Sequence, residues 1–195
     1  MKVISAGGTE LFIRNAAAAG GGTAPVGWRL RVDAPRRLRS DEIRSHDDNG
    51  VRAEPVKASA DALHNVASVV DHPVYWIPGV TPVTYELTQT ADGRIYIRYL
   101  PNGVALGDPR PGFLTVGTYP RSDAFTSVQR AAKRSGAVVK ALPGGGLMVS
   151  QKATPTSAFF AFPTSTVLVE VFDPTAGRAA TYVTSGAVKP VPAQP

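Results

Sequence analysis

Apolar and polar positions alternate most clearly over residues 83–99. Val83, Tyr85, Leu87, Ile95, Ile97 and Tyr99 fall on one side of a two-residue period, and Ala91-Asp92-Gly93 breaks it. Two strands joined by a tight turn follow. A two-residue Asp-Gly turn would set Leu87 against Arg98. A three-residue loop with Gly93 left-handed instead pairs Thr88 with Tyr96, Glu86 with Arg98, Leu87 with Ile97, and Tyr85 with Tyr99. The second register keeps each face uniform and matches the charges, so it is the one expected.

The rest of residues 58–195 reads in the same way. Ser59 caps a helix that carries Asp61 in its first turn and Leu63, Val66, Ala67 and Val70 along one face, and His72-Pro73 stops it. Val74–Ile77 is a buried strand, and Phe113–Tyr119 is another. Ser122 or Asp123 opens a helix over about 124–135 with Phe125, Val128 and Ala132 inward, and Gly136 ends it. Pro143-Gly144-Gly145-Gly146 and Pro163-Thr164-Ser165-Thr166 are hairpin tips between runs of strand. Asp173-Pro174 has the form of a helix start, with Asp at the N-cap and Pro at N1, and that helix is expected to run to about Ser185. A last strand follows within Ala187–Val191.

Two segments share an order of strand, aromatic, proline, helix, Gly stop and strand. One runs from Leu114 to Pro143, the other from Leu168 to Pro192, and Ser135-Gly136-Ala137-Val138 is matched by Ser185-Gly186-Ala187-Val188. Internal duplication and convergent punctuation by Gly and Pro both account for this. Either way the pattern predicts an α+β fold, with a mainly antiparallel sheet of about seven or eight strands and three helices.

Residues 1–57 differ in character. Of 15 aromatic residues only Phe12 and Trp28 lie there. Asn15–Thr23 is an Ala/Gly-rich linker, and the Arg-rich stretch after it lacks apolar density apart from a short alternating run at Trp28–Val32. The segment is expected to be flexible or partly disordered, ahead of a single domain over 58–195. Met1–Gly8 is too short and too polar for a signal peptide, and no apolar run is long enough for a membrane helix, so the chain reads as unexported.

The net charge is +6 with a pI of about 9.8. Residues 1–57 hold 10 basic and 7 acidic residues and residues 58–195 hold 11 and 8, an even spread that favours loose contact with polyanions over a dedicated groove. The absence of cysteine excludes disulfides, thiolate metal sites and thiol nucleophiles. His46, His64 and His72 have no partner at metal-ligand spacing, Gly-x-Ser-x-Gly is absent, and the Gly144–Gly146 run leads into a strand rather than the helix that a phosphate loop needs. No catalytic residue, metal or cofactor is expected. The contact residues that stand out are Arg94, Tyr96 and Arg98, a row opposite the core face, and Asp108 and Arg110 in a rigid Pro-rich loop. Exposed, that row would stack on a ligand; the competing readings are a face that a helix covers and ordinary solvated residues.

His72-Pro73-Val74-Tyr75-Trp76, Tyr85-Glu86-Leu87-Thr88, Asp92–Pro101, Gly107–Pro111 and Leu114–Pro120 together resemble a domain of uncharacterised bacterial proteins, many of them carrying an N-terminal signal, lipoprotein or membrane anchor. The resemblance covers about residues 59–191. It implies a cell-envelope or extracytoplasmic setting and supplies no activity, cofactor or catalytic residue. This chain departs from it in showing no anchor. The expected function is a non-enzymatic binding or scaffold module for an unknown protein or envelope polymer. The alternatives are a weak polyanion or nucleic-acid binder, acting through residues 28–44 and the basic end of the 124–135 helix, and a hydrolase whose site is spread along the chain.

Overall fold

The computed structural model describes residues 2–6, 9–13, 54–81 and 83–192. The Ala/Gly linker, the run at Trp28–Val32, the remaining Arg-rich stretch and His46 lie outside the described residues. Near the start of the chain, where regular structure was not expected, β1 (Lys2–Ala6) and β2 (Thr9–Ile13) pair antiparallel, with Lys2 opposite Ile13 and Ala6 opposite Thr9. Gly7-Gly8 between them is a two-residue hairpin signal.

The main sheet has eight strands, all antiparallel to their neighbours: β3 (Val56–Ala58), β5 (Val83–Gln89), β6 (Ile95–Pro101), β7 (Thr115–Pro120), β11 (Val167–Phe172), β10 (Thr154–Ala161), β9 (Leu147–Gln151) and β8 (Ala137–Ala141), in that spatial order. With three helices among the described residues, this is the expected α+β architecture. The β5–β6 hairpin takes the three-residue loop, and all four expected pairs are present, with Gly93 at a φ of 81°.

One face of the sheet carries Leu87, Ile95, Ile97, Val116, Val169, Val171 and Phe160. It is covered by α1 (Ala60–Val69), by α3 (Arg178–Thr184), and by a separate two-stranded ribbon of β4 (Tyr75–Trp76) and β12 (Lys189–Pro190). Val74–Ile77 therefore does not join the main sheet. The Ser59 hydroxyl caps α1 by accepting from the Ala62 N–H at 3.1 Å. The opposite face splits in two. Over β8–β11 it is covered by α2 (Ala124–Ala132), which packs Ala124, Val128 and Ala131 on Val149, Ala161 and Leu168. Over β5 and β6 it is covered by the loop that joins β6 to β7.

The last helix begins later than Asp173-Pro174 suggests. The Asp173 carboxylate accepts from the Thr175 N–H at 2.7 Å and closes a turn, and Gly177 then stands at a φ of 81° before α3 starts at Arg178. Asp173 thus serves a local turn instead of the helix. The two strand–helix–strand segments also differ in placement. The first sends its helix to one face and its second strand to the sheet edge. The second sends its helix to the other face and its strand to the ribbon with β4. They share an order of elements, not a position in the fold. No helix among the described residues is long and apolar enough to cross a membrane.

The left-handed Gly177 has open space around its α-carbon, so a substitution there tests backbone strain alone. Gly177→Ala should lower stability by about 1 kcal/mol in urea unfolding, while Gly112→Ala, equally unobstructed and not left-handed, should be neutral or slightly stabilising.

Candidate functional site

The hairpin register aligns two rows of polar residues on the face that α2 and the β6–β7 loop share. The first row runs Glu86, Arg98, Thr115; the second runs Thr88, Tyr96, Gly117, Glu170. In the first, the Glu86 and Arg98 side chains are 0% and 3% exposed and form an ion pair. Arg98 spends its other amino group on the loop, donating from Nη2 to the carbonyls of Asp108 at 2.9 Å and Arg110 at 3.1 Å. Glu86 Oε2 accepts from the Gly107 N–H. Both charges therefore have directed partners, and the guanidinium also lies 5.0 Å from the centre of the Phe113 ring. At the loop's outer surface Arg110, 67% exposed, makes a two-pronged contact with Asp108. That contact holds the Asp108 carboxyl down at about 2.

In the second row, the Tyr119 hydroxyl donates to Glu170 Oε2 at 2.8 Å, and its ring meets Tyr96 edge-on at 5.6 Å. The ring lies back over Gly117, where a β-carbon would come within 2.8 Å of the hydroxyl. Arg94 reaches both Tyr96 and Asp92. Burial pushes the Tyr119 phenol up, and the neighbouring Glu170 carboxylate adds to this. Tyr96 is pushed up by burial too, with Arg94 opposing.

These positions correct the expected contact surface. Arg94 and Tyr96 come together, as do Arg98, Asp108 and Arg110, but Tyr96 is 2% exposed and Arg98 is enclosed. The Arg-Tyr-Arg row is not an open platform. A loop, rather than the helix weighed as one alternative, seals its Arg98 end, while Tyr119 and Phe172 pack on Tyr96. Only Arg110 stays well exposed. The histidines have local roles: His72 Nδ1 and Nε2 lie 3.1 and 3.0 Å from the carbonyls of Pro73 and Gly93, and His64 meets Trp76 edge-on. Among the described residues no group of three or more His, Asp or Glu side chains is placed to hold a metal ion.

Charge singles out a different surface. Between Ala124 and Val169 there is no acidic residue, yet Arg130, Lys133, Arg134, Lys140 and Lys152 lie there, and all five are exposed. Elsewhere in the described domain Arg94, Arg98, Arg110, Arg121 and Arg178 each have a carboxylate partner. Among the described residues none of the five has one. They lie around the β8 edge of the sheet: Lys152 N donates to Gly136 O at 3.0 Å and Ala137 N to Arg134 O at 3.2 Å, which ties the β9–β10 turn to the end of α2 and the start of β8. Lys140, opposite Met148, is further along β8 on the face away from α2. Comparing the two parts of the chain hides this concentration, because the acids of 58–195 all lie outside the 124–169 segment. A running count of acids along the sequence would have found it.

Comparison with protein-family models, with curated proteins and with solved structures finds no match.

Two outcomes follow from the loop clamp. Arg98→Ala leaves Glu86 charged and enclosed, so it should cost about 3–5 kcal/mol in urea unfolding, whereas Arg110→Ala at the exposed pair should shift the unfolding midpoint far less. The Asp108 carboxyl lies below its ordinary value of 3.8, so the pairing stabilises the folded state above that pH and is lost as pH falls through about 2. An NMR titration of the Asp108 carboxyl should show its midpoint near the lower value; a midpoint near the ordinary one would mean the Arg110 contact does not persist in solution.

Proposed function

We propose that this domain is a non-enzymatic binding module that takes an acidic partner on the basic end of its sheet. The observation that carries the reading is the contrast in pairing. Of the cations elsewhere in the described domain, five arginines are matched by carboxylates and two scattered lysines, Lys57 and Lys189, are not. All five cations around the β8 edge face water without a carboxylate partner among the described residues. Part of the cluster has a structural use. Arg130 and Lys133 lie at the C-terminal end of α2, where a helix favours positive charge by about 0.3–1 kcal/mol each. That account does not reach Lys140, on β8, or Lys152, in the β9–β10 turn. A patch of one sign attracts an oppositely charged partner and speeds its encounter.

The buried rows support binding over chemistry. Their charged groups are committed to holding the loop and the sheet, and both nitrogens of His72 lie against backbone carbonyls. The envelope setting implied by the resemblance fits a module of this kind, presented near a surface to a protein or polymer bearing acids.

The test is binding of fluorescent polyglutamate at low and at near-physiological salt. Affinity should fall with salt, and the triple variant Arg130→Glu, Lys133→Glu, Arg134→Glu should bind at least about tenfold more weakly, with Arg110→Glu close to the unsubstituted protein. A flat salt response with equal binding by all three proteins would remove this surface.

A further inference from the structure

We propose that the open edge of β8 takes up an acidic peptide in extended conformation as a ninth strand of the sheet. This rests on the reading of the basic end as a binding surface and specifies its partner.

The hydrogen-bond phase of β8 identifies the groups available. Leu142 N donates to Gly146 O at 2.8 Å and Lys152 N donates to Gly136 O at 3.0 Å, one at each end of the β8–β9 pair. Bonding alternates along an antiparallel ladder, so Val138 and Lys140 turn their backbone groups toward β9. Ala137, Val139 and Ala141 turn theirs away from it. The Ala137 N–H is taken by Arg134 O. The N–H and C=O of Val139 and Ala141 remain directed at an edge where, among the described residues, no further strand lies. Such a row is a template for main-chain pairing.

The other edge is a poorer one. β3 has three residues, with Pro55 just before it and α1 starting two residues after it. β8 has five residues, no proline and an even register with β9. Val139 is 39% exposed and shares the α2 face with Val149, so an added strand would shelter apolar surface that now meets water.

Charge selects the occupant. Arg134 and Lys152 stand beside the first residue of β8, and Lys140 is on the strand itself. A lysine on an edge strand, inside a patch of one sign, repels a second copy of the same edge. The same charges attract a strand that carries acids. The fitting ligand alternates acidic with β-branched residues, offering carboxylates on the face of Lys140 and an apolar side chain beside Val139 on the other.

The experiment uses the full chain and two labelled peptides of equal charge, one alternating Glu with Val and one alternating Glu with Gly. The Glu/Val peptide should bind more tightly, and the Val139 and Ala141 amides should gain protection from hydrogen exchange. Val139→Pro removes an N–H that faces outward and leaves the β9 ladder intact, a position where an edge strand accepts proline. It should weaken the Glu/Val peptide about tenfold and leave polyglutamate binding unchanged. Should that variant fold poorly, the unsubstituted protein with a Glu/Val peptide N-methylated at alternate residues asks the same question: methylation of one alternate set should abolish binding and methylation of the other should be tolerated. Equal binding of both peptides, by both proteins and regardless of methylation, would overturn strand addition while leaving the acidic-partner reading in place. Dimerisation through β8 in sedimentation would overturn the choice of occupant. If neither peptide nor polyglutamate binds, both readings fall.

Discussion

Glu86 and Arg98 face one another across the β5–β6 hairpin with almost no access to water. Two charges removed from solvent cost several kcal/mol each unless every lone pair and proton is directed at a partner, and here the partners come from one place. Gly107, Asp108 and Arg110 supply an N–H and two carbonyls, so the pair is satisfied only when the β6–β7 loop lies down on the sheet. The loop in turn needs the pair, because its inward backbone groups would otherwise be buried without bonds. Sheet and loop order one another, and half of a sheet face is closed without a helix.

The other half of that face is closed by α2, through small and branched apolar side chains. The two covers differ in where they leave charge. Under the loop, Arg98 is drawn inward and matched with Glu86, and on the loop's outer surface Arg110 is matched with Asp108. Under α2 the contacts are apolar, Asp123 at its start is taken by Arg121 and Ser127, and the cations at its far end stay outside without a carboxylate among the described residues. The loop half is internally neutralised and the α2 half is not, so the difference in packing becomes a difference in what each surface can bind.

Much of the fold was legible because a strand's two-residue period leaves little freedom. Shifting the β5–β6 register by one would have set Leu87 against Arg98, and that conflict alone selected the loop length. Capping by Ser59 was legible for a similar reason, since it depends on neighbours a few residues away, whereas the helix expected to run to Gly136 ends at Ala132 and the left-handed Gly136 serves the turn into β8 instead. The burial of Tyr96 and Arg98 was not. It depends on residues 107–110 returning over the strand, and nothing in an Arg-Tyr-Arg alternation distinguishes a face open to water from one capped by a loop. Asp173-Pro174 misled because an aspartate can close a turn on its own backbone as readily as it caps a helix, and Gly177 decides between them. The basic end was legible in part. The cations of the 124–135 helix stood out, but Lys140 and Lys152 join them only once β8 and β9 pair.

Contact at a single surface, rather than diffuse attraction to every cation, is what a map of the bound protein tests. Amide chemical shifts recorded while polyglutamate is added should move at residues 130–140 and around Lys152, with the β6–β7 loop and Arg94 unmoved. Shifts centred on Arg110 and the loop, or spread evenly over every exposed cation, would contradict it.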